Sequence, residues 1–166
     1  MKRLVCVLLM LLVLCSCSGG EIEPRLKGIS FNAEMTYYNE CYNFGGEVLS
    51  DGTLKVTLTE PEELKDLSFT LSGENTVIEY KGLTYSPVEG SMPFSRIIEN
   101  FYKPLREVAL SNSCEVSKDG VFKSDNGAQS YTITFSPTGL PQKLEIPDER
   151  FSVRFYNVSI KEEAND

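Results

Sequence analysis

Short stretches of this chain alternate apolar and polar residues with a period of two. The clearest lie at residues 29–37, 54–58, 67–71 and 131–135. Alternation of this kind is typical of β-strands that bury one face. Glycine-containing pairs such as Asp51-Gly52 stand between these stretches and predict tight hairpin turns. Strands joined by such short connections pair antiparallel, because parallel pairing requires a long crossover.

One segment follows a helical period instead. Pro93 suits the first turn of a helix. Pro104 does not suit a helix interior, because it lacks the N–H and its ring clashes with the carbonyl of Asn100. The sequence therefore predicts one amphipathic helix, within residues 93–110, that kinks or ends near Pro104. The apolar residues at helical spacing are Ile97, Ile98, Phe101, Tyr102, Leu105, Val108 and Ala109.

The predicted fold is mainly β (α+β). The chain has about nine to eleven candidate strands and essentially one helix. A long antiparallel sheet with one apolar face and a single covering helix has to curl on itself. We therefore expect a curled sheet or half-open β-barrel whose concave face is capped by the helix. After Phe155 the apolar positions shift to Tyr156, Val158 and Ile160, which predicts a bulge or a bend in the last strand.

The N-terminus has the features of an export signal. Lys2 and Arg3 precede an unbroken apolar run from Leu4 to Leu14. At about 1.5 Å per residue this run covers about half of a ~30 Å hydrocarbon core, so it is too short to span a membrane. A basic start followed by a short apolar run is typical of a cleaved secretory signal. We predict that residues 1–16 are removed.

The end of this leader, Leu14-Cys15-Ser16-Cys17, resembles a bacterial lipobox. The resemblance implies that Cys17 carries a diacylglycerol thioether and becomes the mature N-terminus. An ordinary secretory signal with incidental cysteines is the alternative. Two or three acyl chains hold a protein stably on a bilayer. We therefore expect an extracytoplasmic lipoprotein anchored to the cell membrane, with residues 17–27 as lipidated cysteine and tether and residues 28–161 as a single domain.

Charge limits the range of partners. The chain has 16 basic and 24 acidic residues, and two of the basic ones lie in the leader, which leaves a net charge of −10 on the mature chain. The acidic residues are scattered, whereas nucleic-acid binding needs clustered Lys and Arg. We expect no nucleic-acid partner. The membrane is expected as a partner only through the anchor, because anionic headgroups repel such a domain. The sequence does not indicate the oligomeric state.

Catalytic chemistry has little support in this composition. The chain has no His, which removes Ser-His-Asp and Cys-His catalysis and His-ligated zinc. No pair of carboxylates stands out as a paired-acid site, and neither Asp119-Gly120 nor 125–127 has the spacing of a calcium loop. We expect no enzyme, no metal and no cofactor. Cys41 and Cys114 could form a disulfide in an exported compartment, and two unpaired thiols are the alternative.

The order of the elements resembles a known superfamily. A strand with Phe31-x-Ala33 is followed by Leu54-x-Val56-x-Leu58, Pro61 and Leu67-x-Phe69, then by a hairpin at 78–87, the helix and further hairpins. This pattern resembles the LolA/LolB-like superfamily of lipoprotein carriers and receptors over about residues 28–160. The resemblance implies a half-open β-barrel lidded by helices, with a hydrophobic cavity for acyl chains. It carries no catalytic or binding residue with it.

Two functions are compatible with these features. The first is a membrane-anchored binder, carrier or sensor of a lipid or lipoprotein acyl chain, with an apolar cavity of about 300–1,000 Å³ between the helix and the first strand. The second is a non-enzymatic envelope interaction module whose own side chains fill the core. Apolar alternation is the same in both cases, so the sequence does not separate them. The expected cavity-lining residues are Phe31, Ala33, Met35, Ile97, Ile98 and Phe101.

Overall fold

The computed structural model describes residues 22–87, 95–111, 115–125 and 129–161. The leader, Cys17 and Cys114 lie outside these residues, so the signal, the anchor and the disulfide stay predictions. The described part forms one sheet of ten strands, two short 3₁₀ turns and one α-helix. The elements are β1 (Ile29–Tyr37), β2 (Glu40–Val48), β3 (Leu54–Glu60), a 3₁₀ turn (Glu62–Leu64), β4 (Ser68–Ser72), β5 (Asn75–Tyr80), β6 (Leu83–Tyr85), α1 (Ser95–Leu110), β7 (Val121–Asp125), β8 (Ser130–Phe135), β9 (Pro141–Ile146), a 3₁₀ turn (Pro147–Glu149) and β10 (Phe151–Ile160).

The sheet is antiparallel throughout, with the strand order β6-β5-β4-β3-β2-β1-β10-β9-β8-β7. Two runs of hairpins, β1 to β6 and β7 to β10, are therefore joined side by side through the pairing of β1 with β10. The strands β6 and β7 are its edges and do not pair with each other, so the sheet is open. This confirms the predicted mainly β fold, a curled antiparallel sheet with one main helix.

The inner face of the sheet follows from the alternation in the sequence. The same alternation of buried and less buried residues appears in β1, β3 and β8. Antiparallel pairing sets the inward residues of neighbouring strands opposite one another, so the apolar rows continue from strand to strand. In β1 the buried residues are Ile29, Phe31, Ala33 and Met35.

The hairpins define two ends of the sheet. End A holds the β1–β2 turn at Tyr38-Asn39 and the 3₁₀ turns Glu62–Leu64 and Pro147–Glu149. End B holds the β2–β3 turn at residues 49–53 and the β8–β9 turn at residues 136–140. Residues that are far apart in the chain therefore lie at the same end of the sheet.

The helix α1 lies along the concave face and runs from end A to end B. At its first turn, Arg96 Nη1 is 3.9 Å from Glu149 Oε2 at end A. Its last residue, Leu110, lies beside Gly52 in the β2–β3 turn at end B. The residues of α1 that are buried against the sheet include Phe101, Tyr102, Leu105 and Val108, as the helical period predicts.

Of the two outcomes predicted near Pro104, a kink or an end, the helix does not end there. It continues to Leu110. The Pro104 side chain is less than 2% exposed, and this burial offsets the hydrogen bond that the Asn100 carbonyl loses. The Asn100 side chain is itself buried, and its Oδ1 accepts a hydrogen bond from Gln129 Nε2 at 2.9 Å, which ties this turn of the helix to the start of β8.

The last strand contains the predicted bulge. Between the pairs Ser30–Ser159 and Asn32–Tyr156, β10 has one residue more than β1. Asn157 lies within this stretch with a φ of 51°, a left-handed conformation that Asn tolerates better than most residues. The shift of apolar positions after Phe155 is therefore confirmed as a bulge.

Four phenylalanines, Phe31, Phe44, Phe101 and Phe155, form an aromatic cluster at the centre of the core. The Phe31 ring packs edge-on against Phe155, with the ring centroids 5.2 Å apart, and Phe44 packs in the same way against Phe101 at 5.2 Å. Such contacts stabilise beyond the burial of area alone. Gly46 lies directly opposite Phe31 in the register of β1 and β2, and its missing Cβ leaves room for the ring.

The chain from Ile22 onward packs across end B before β1 begins. The Arg25 N–H donates a hydrogen bond to the Gly139 carbonyl at 2.8 Å, and Leu26 is 3% exposed. The folded part therefore starts before the predicted boundary at residue 28, and less than the whole of 17–27 is left as tether. Within the described ranges, no helix combines the length and the apolar character needed to cross a membrane.

Candidate binding pocket

An apolar pocket of about 140 Å³ lies between α1 and the sheet, with most of its lining toward end A. It is partly open to solvent and has almost no polar surface. The lining residues come from β1 to β4, from the connection between β3 and β4, and from the first turns of α1. They are Met35, Tyr42, Phe44, Val56, Leu58, Leu64, Leu67, Phe69, Leu71, Ile97, Ile98 and Phe101.

The walls of the pocket are set by three elements that meet at end A. The inner face of β3 and β4 forms one wall, where Val56 pairs with Phe69. The first turns of α1 form a second, because residues three and four apart share one helix face. The β3–β4 connection forms the third and is held by its own backbone: the Leu67 N–H donates to the Leu64 carbonyl at 3.0 Å, and the Leu58 N–H donates to the Leu67 carbonyl at 2.9 Å.

The pocket exists because the aromatic cluster does not extend as far as β4. Phe44 and Phe101 belong both to the cluster and to the lining, so they mark the boundary between filled and unfilled core. On the β8–β10 side of this boundary, Ile133 is 0% exposed. On the pocket side, Leu67 and Phe69 are only partly buried. Among the described residues, this pocket therefore lies over β1 to β4 and is bordered by buried side chains toward β8–β10.

The pocket is smaller than expected. A volume of about 300–1,000 Å³ is usual for a small-ligand site, and the pocket measures about 140 Å³. The helix lies close enough to the sheet for the ring centroid of Phe101 to reach within 6.3 Å of that of Phe31. Aromatic rings therefore occupy the centre of the concave face, where a larger cavity was expected.

Tyr42, one of the lining residues, carries a hydroxyl group. It donates a hydrogen bond to Glu40 Oε2 at 2.6 Å. This hydrogen bond, with smaller contributions from burial and from the negative charge of Glu40, raises the pKa of Tyr42 to about 12. The phenol is therefore neutral at physiological pH. Nearby, the Tyr80 hydroxyl donates to the backbone carbonyl of Glu63 and fixes the 3₁₀ turn beside the pocket.

The structure brings together four of the six residues that the sequence predicts for a cavity lining. Met35, Ile97, Ile98 and Phe101 line the pocket. Phe31 and Ala33 lie deeper, at 4% and 0% exposure, and pack within the core instead. That a ligand occupies this pocket stays a prediction.

Sequence reasoning missed most of the lining from β2, β3, β4 and the β3–β4 connection. Alternation marks Val56, Leu58 and Phe69 as inward-facing residues. It does not tell which inward residues the helix leaves uncovered. Leu64 lies in a 3₁₀ turn and Leu67 just before β4, where no long-range period identifies them as part of a site.

Known proteins give information on the fold. No protein-family model matches the sequence, and no curated protein is detectably similar to it. Among solved structures, a LolA superfamily protein from Nitrosomonas europaea aligns with a TM-score of 0.45 and 10% identity, over 86% of this chain and 90% of that chain. A DUF1329 family protein from Desulfovibrio piger aligns with a TM-score of 0.47 and 11% identity, over 84% of this chain and 87% of that chain. The first belongs to the superfamily that the sequence pattern resembles. Similarity of this extent concerns the fold alone. A proposal on the class of ligand therefore rests on the residues that line the pocket.

The described residues provide little else that could carry chemistry. Among them, no group of three or more His, Cys, Asp and Glu residues is arranged to hold a metal ion. Cys41 is exposed on β2, and Cys114, with which it could pair, lies outside the described ranges. The pocket itself can recognise a ligand through apolar contact and shape.

Proposed function

We propose that this protein binds a small amphiphile, or the end of a single acyl chain, in the pocket at end A, while a lipid on Cys17 holds it on the outer side of a cell membrane. The observation that carries the proposal is the pocket, which is partly open and lined almost entirely by apolar groups. Such a lining favours an alkyl chain or ring over a sugar or a nucleotide, whose polar groups would lose hydrogen bonds on entry. The proposed role is binding and requires no catalysis.

The volume limits how much of a ligand can enter. An engineered apolar cavity of about 150 Å³ accepts one benzene molecule, so a pocket of about 140 Å³ has room for about six carbon atoms. Six methylenes at ~0.8 kcal/mol each contribute at most ~5 kcal/mol, which corresponds to a Kd of roughly 0.3 mM. We therefore expect weak binding of a short chain, with a Kd no lower than roughly 0.3 mM. A ligand with several long acyl chains does not fit.

The anchor is a separate part of the proposal. It is supported by the resemblance of Leu14-Cys15-Ser16-Cys17 to a lipobox and by the position of Ile22, which is already packed on the domain five residues after Cys17. A lipid there would hold the domain close to the bilayer. Labelling with radioactive palmitate in a bacterial host tests this part, with Cys17→Ser as the control. Equal labelling of both proteins would refute it.

An interaction module remains the second candidate function. Leu83 and Tyr85 on the edge strand β6 are 76% and 56% exposed. An edge strand with exposed apolar side chains can pair with a strand of another protein. In that case the pocket would bind no alkyl chain, and Leu83→Lys would weaken the association without any change in the fold.

Binding of straight-chain carboxylates of increasing length tests the pocket directly. Titrated into the mature chain, residues 17–166 with Cys17→Ser, and followed by NMR, the series is expected to bind about fourfold more tightly for each added methylene. The gain is expected to stop after about six buried carbons, because further methylenes stay in water. A surface that binds amphiphiles nonspecifically would give a gain that continues with chain length.

A matched pair of substitutions locates the binding. Leu67 lines the pocket, and Leu140 lies in the β8–β9 turn at end B, and both are partly buried against the core. Leu67→Phe adds volume that fills the pocket, so we expect the affinity for octanoate to fall at least about tenfold, as for the loss of two buried methylenes. Leu140→Phe is expected to bind as the parent does. Equal affinities in the two variants would refute binding in this pocket.

A further inference from the structure

We infer that the pocket exchanges its occupant with the aqueous phase and not with the bilayer that holds the anchor, and that the occupant is a water-soluble amphiphile with a short apolar tail. This inference rests on the proposed function, since it takes both the pocket and the anchor at Cys17 as given. It adds the phase from which the ligand enters the pocket. This phase follows from the positions of the pocket and of the chain that leads to the anchor.

The chain leaves the domain toward the anchor at end B. The Arg25 N–H is bonded to the Gly139 carbonyl in the β8–β9 turn at 2.8 Å, and Leu26 is buried. Ile22 Cδ1 lies beside Gly120, which is itself bonded to Phe135 at the end of β8. The last packed residues before the tether are therefore fixed to end B by backbone and side chain.

Most of the pocket lining lies toward the opposite end, although Leu71 is level with Ile29 in the register of β1 to β4. Met35 and Tyr42 flank the β1–β2 turn, and Ile97 belongs to the first turn of α1. Six residue steps along β1, from Ile29 to Met35, cover about 20 Å at a rise of about 3.3 Å per residue. The five residue steps from Cys17 to Ile22 reach at most about 18 Å when fully extended. An upright domain thus holds end B near the bilayer, and it holds the part of the pocket beside Met35 and Tyr42 about 20 Å farther away.

Surface charge opposes a domain that lies flat on the membrane. The mature chain carries a net charge of −10, and an anionic leaflet repels such a surface. The small pocket also opposes extraction of a long acyl chain. With about six carbons inside, the rest of the chain would be exposed to water at a loss of about fourfold in equilibrium for each methylene. A short, soluble amphiphile avoids this loss, because its exposed part is polar.

The orientation can be measured on the lipidated full chain in vesicles of phosphatidylcholine and phosphatidylglycerol. With Cys114→Ser, a thiol dye on the exposed Cys41 marks end A. With Cys41→Ser, Cys114→Ser and Ser50→Cys, the same dye on the exposed β2–β3 turn marks end B. We expect a nitroxide on the lipid headgroups to quench the dye at residue 50 several-fold more than the dye at residue 41. Equal quenching, or stronger quenching at residue 41, would overturn the inference.

The source of the ligand is tested on the same vesicles with ¹³C-octanoate, with Leu67→Phe as the control for pocket binding. We expect bound octanoate on the vesicle-held protein, unchanged when oleate is added to the bilayer. Displacement of octanoate by bilayer oleate would overturn the inference while leaving the pocket as a binding site. Binding by residues 17–166 with Cys17→Ser, but not by the vesicle-held protein, would also overturn the inference. No octanoate bound in either form would instead refute the proposed function itself.

Discussion

Gly45 and Gly46 are neighbours in β2 that point to opposite faces of the sheet, so their replacement by alanine compares two very different environments. Gly46 faces inward, opposite Phe31. A Cβ at Gly46 would lie 2.6 Å from Phe31 Cζ and 3.0 Å from the Lys55 carbonyl oxygen. A Cβ at Gly45 would meet only Asn32 Oδ1, at an ordinary 3.5 Å.

The size of the change in the free energy of unfolding depends on whether neighbouring atoms can move to make room for the added methyl group. The Phe31 ring cannot withdraw freely, because its centroid lies 5.2 Å from that of Phe155 and 6.3 Å from that of Phe101. Overpacking of this kind costs about 1–3 kcal/mol. Gly45→Ala has no such conflict, and it reduces the freedom of the unfolded chain, which stabilises by about 0.4–1 kcal/mol. We therefore expect the two variants to differ by about 1.5–4 kcal/mol in the free energy of unfolding.

Urea denaturation of residues 17–166 with Cys17→Ser measures this difference, provided that both variants show the same slope of unfolding free energy against urea concentration. A difference below about 0.5 kcal/mol would refute the packing of Phe31 over Gly46. Phe31→Leu supplies the second side of a double-mutant cycle. Because Leu removes the ring atoms that the added methyl group would meet, we expect the cost of Gly46→Ala to fall by about 1 kcal/mol or more in the Phe31→Leu background.

Three further predictions concern single contacts. Tyr102→Phe removes the hydroxyl that accepts the Gly73 N–H at 3.1 Å and is expected to lower the free energy of unfolding by about 0.5–1.5 kcal/mol, measured by thermal denaturation; an unchanged Tm would refute the bond. Glu40→Ala removes the acceptor that raises the pKa of Tyr42 to about 12, so tyrosinate absorbance is expected to place that pKa near the ordinary ~10. Because the folded pKa exceeds the unfolded one, the stabilisation from this bond is complete below about pH 10 and is lost as the pH rises to about 12, and Glu40→Ala is expected to remove this dependence from unfolding curves. Ala33→Leu is expected to cost about 1–3 kcal/mol by overpacking, because Ala33 is 0% exposed and lies between Phe44 and Phe155, whereas Glu34→Leu on the outer face is expected to be nearly neutral in the same urea assay.

The strands and the bulge could be predicted from the sequence because each depends on local information. Alternation over residues 29–37 and 131–135 reports one buried face, whichever strand comes to lie beside it. The shift of phase after Phe155 reports the extra residue of β10 in the same way. β2 gives a weaker signal, since Asn43, Gly45 and Gly46 disfavour strands. It is held by pairing with β1 and β3 on both sides.

The length of the helix and the exact place of the pocket could not be predicted, because both depend on contacts between distant elements. Pro104 predicts a kink or an end of the helix on local grounds, and its complete burial offsets the lost hydrogen bond where α1 continues. Phe31 was expected in the cavity lining. The register places it opposite Gly46, where the absence of a Cβ lets the ring pack within the core. Leu64 and Leu67 enter the lining because the β3–β4 connection folds back onto β3.

The two functions that the sequence left open correspond to two halves of one concave face. On the β8–β10 side the core is filled by its own side chains, as an interaction module requires, and on the β2–β4 side a pocket remains, as a ligand-binding protein requires. Both halves share α1. A ligand larger than the pocket would have to move the helix away from the sheet, and Phe101 would then lose its contacts with Phe31 and Phe155, at 6.3 Å and 6.1 Å between ring centroids. Contacts between aromatic rings are worth about 0.5–1.5 kcal/mol each beyond the burial of area. The packing of Phe101 against Phe31 and Phe155 therefore opposes movement of α1 away from the sheet. Phe31 and Phe155 thus limit the size of the ligand although they do not line the pocket.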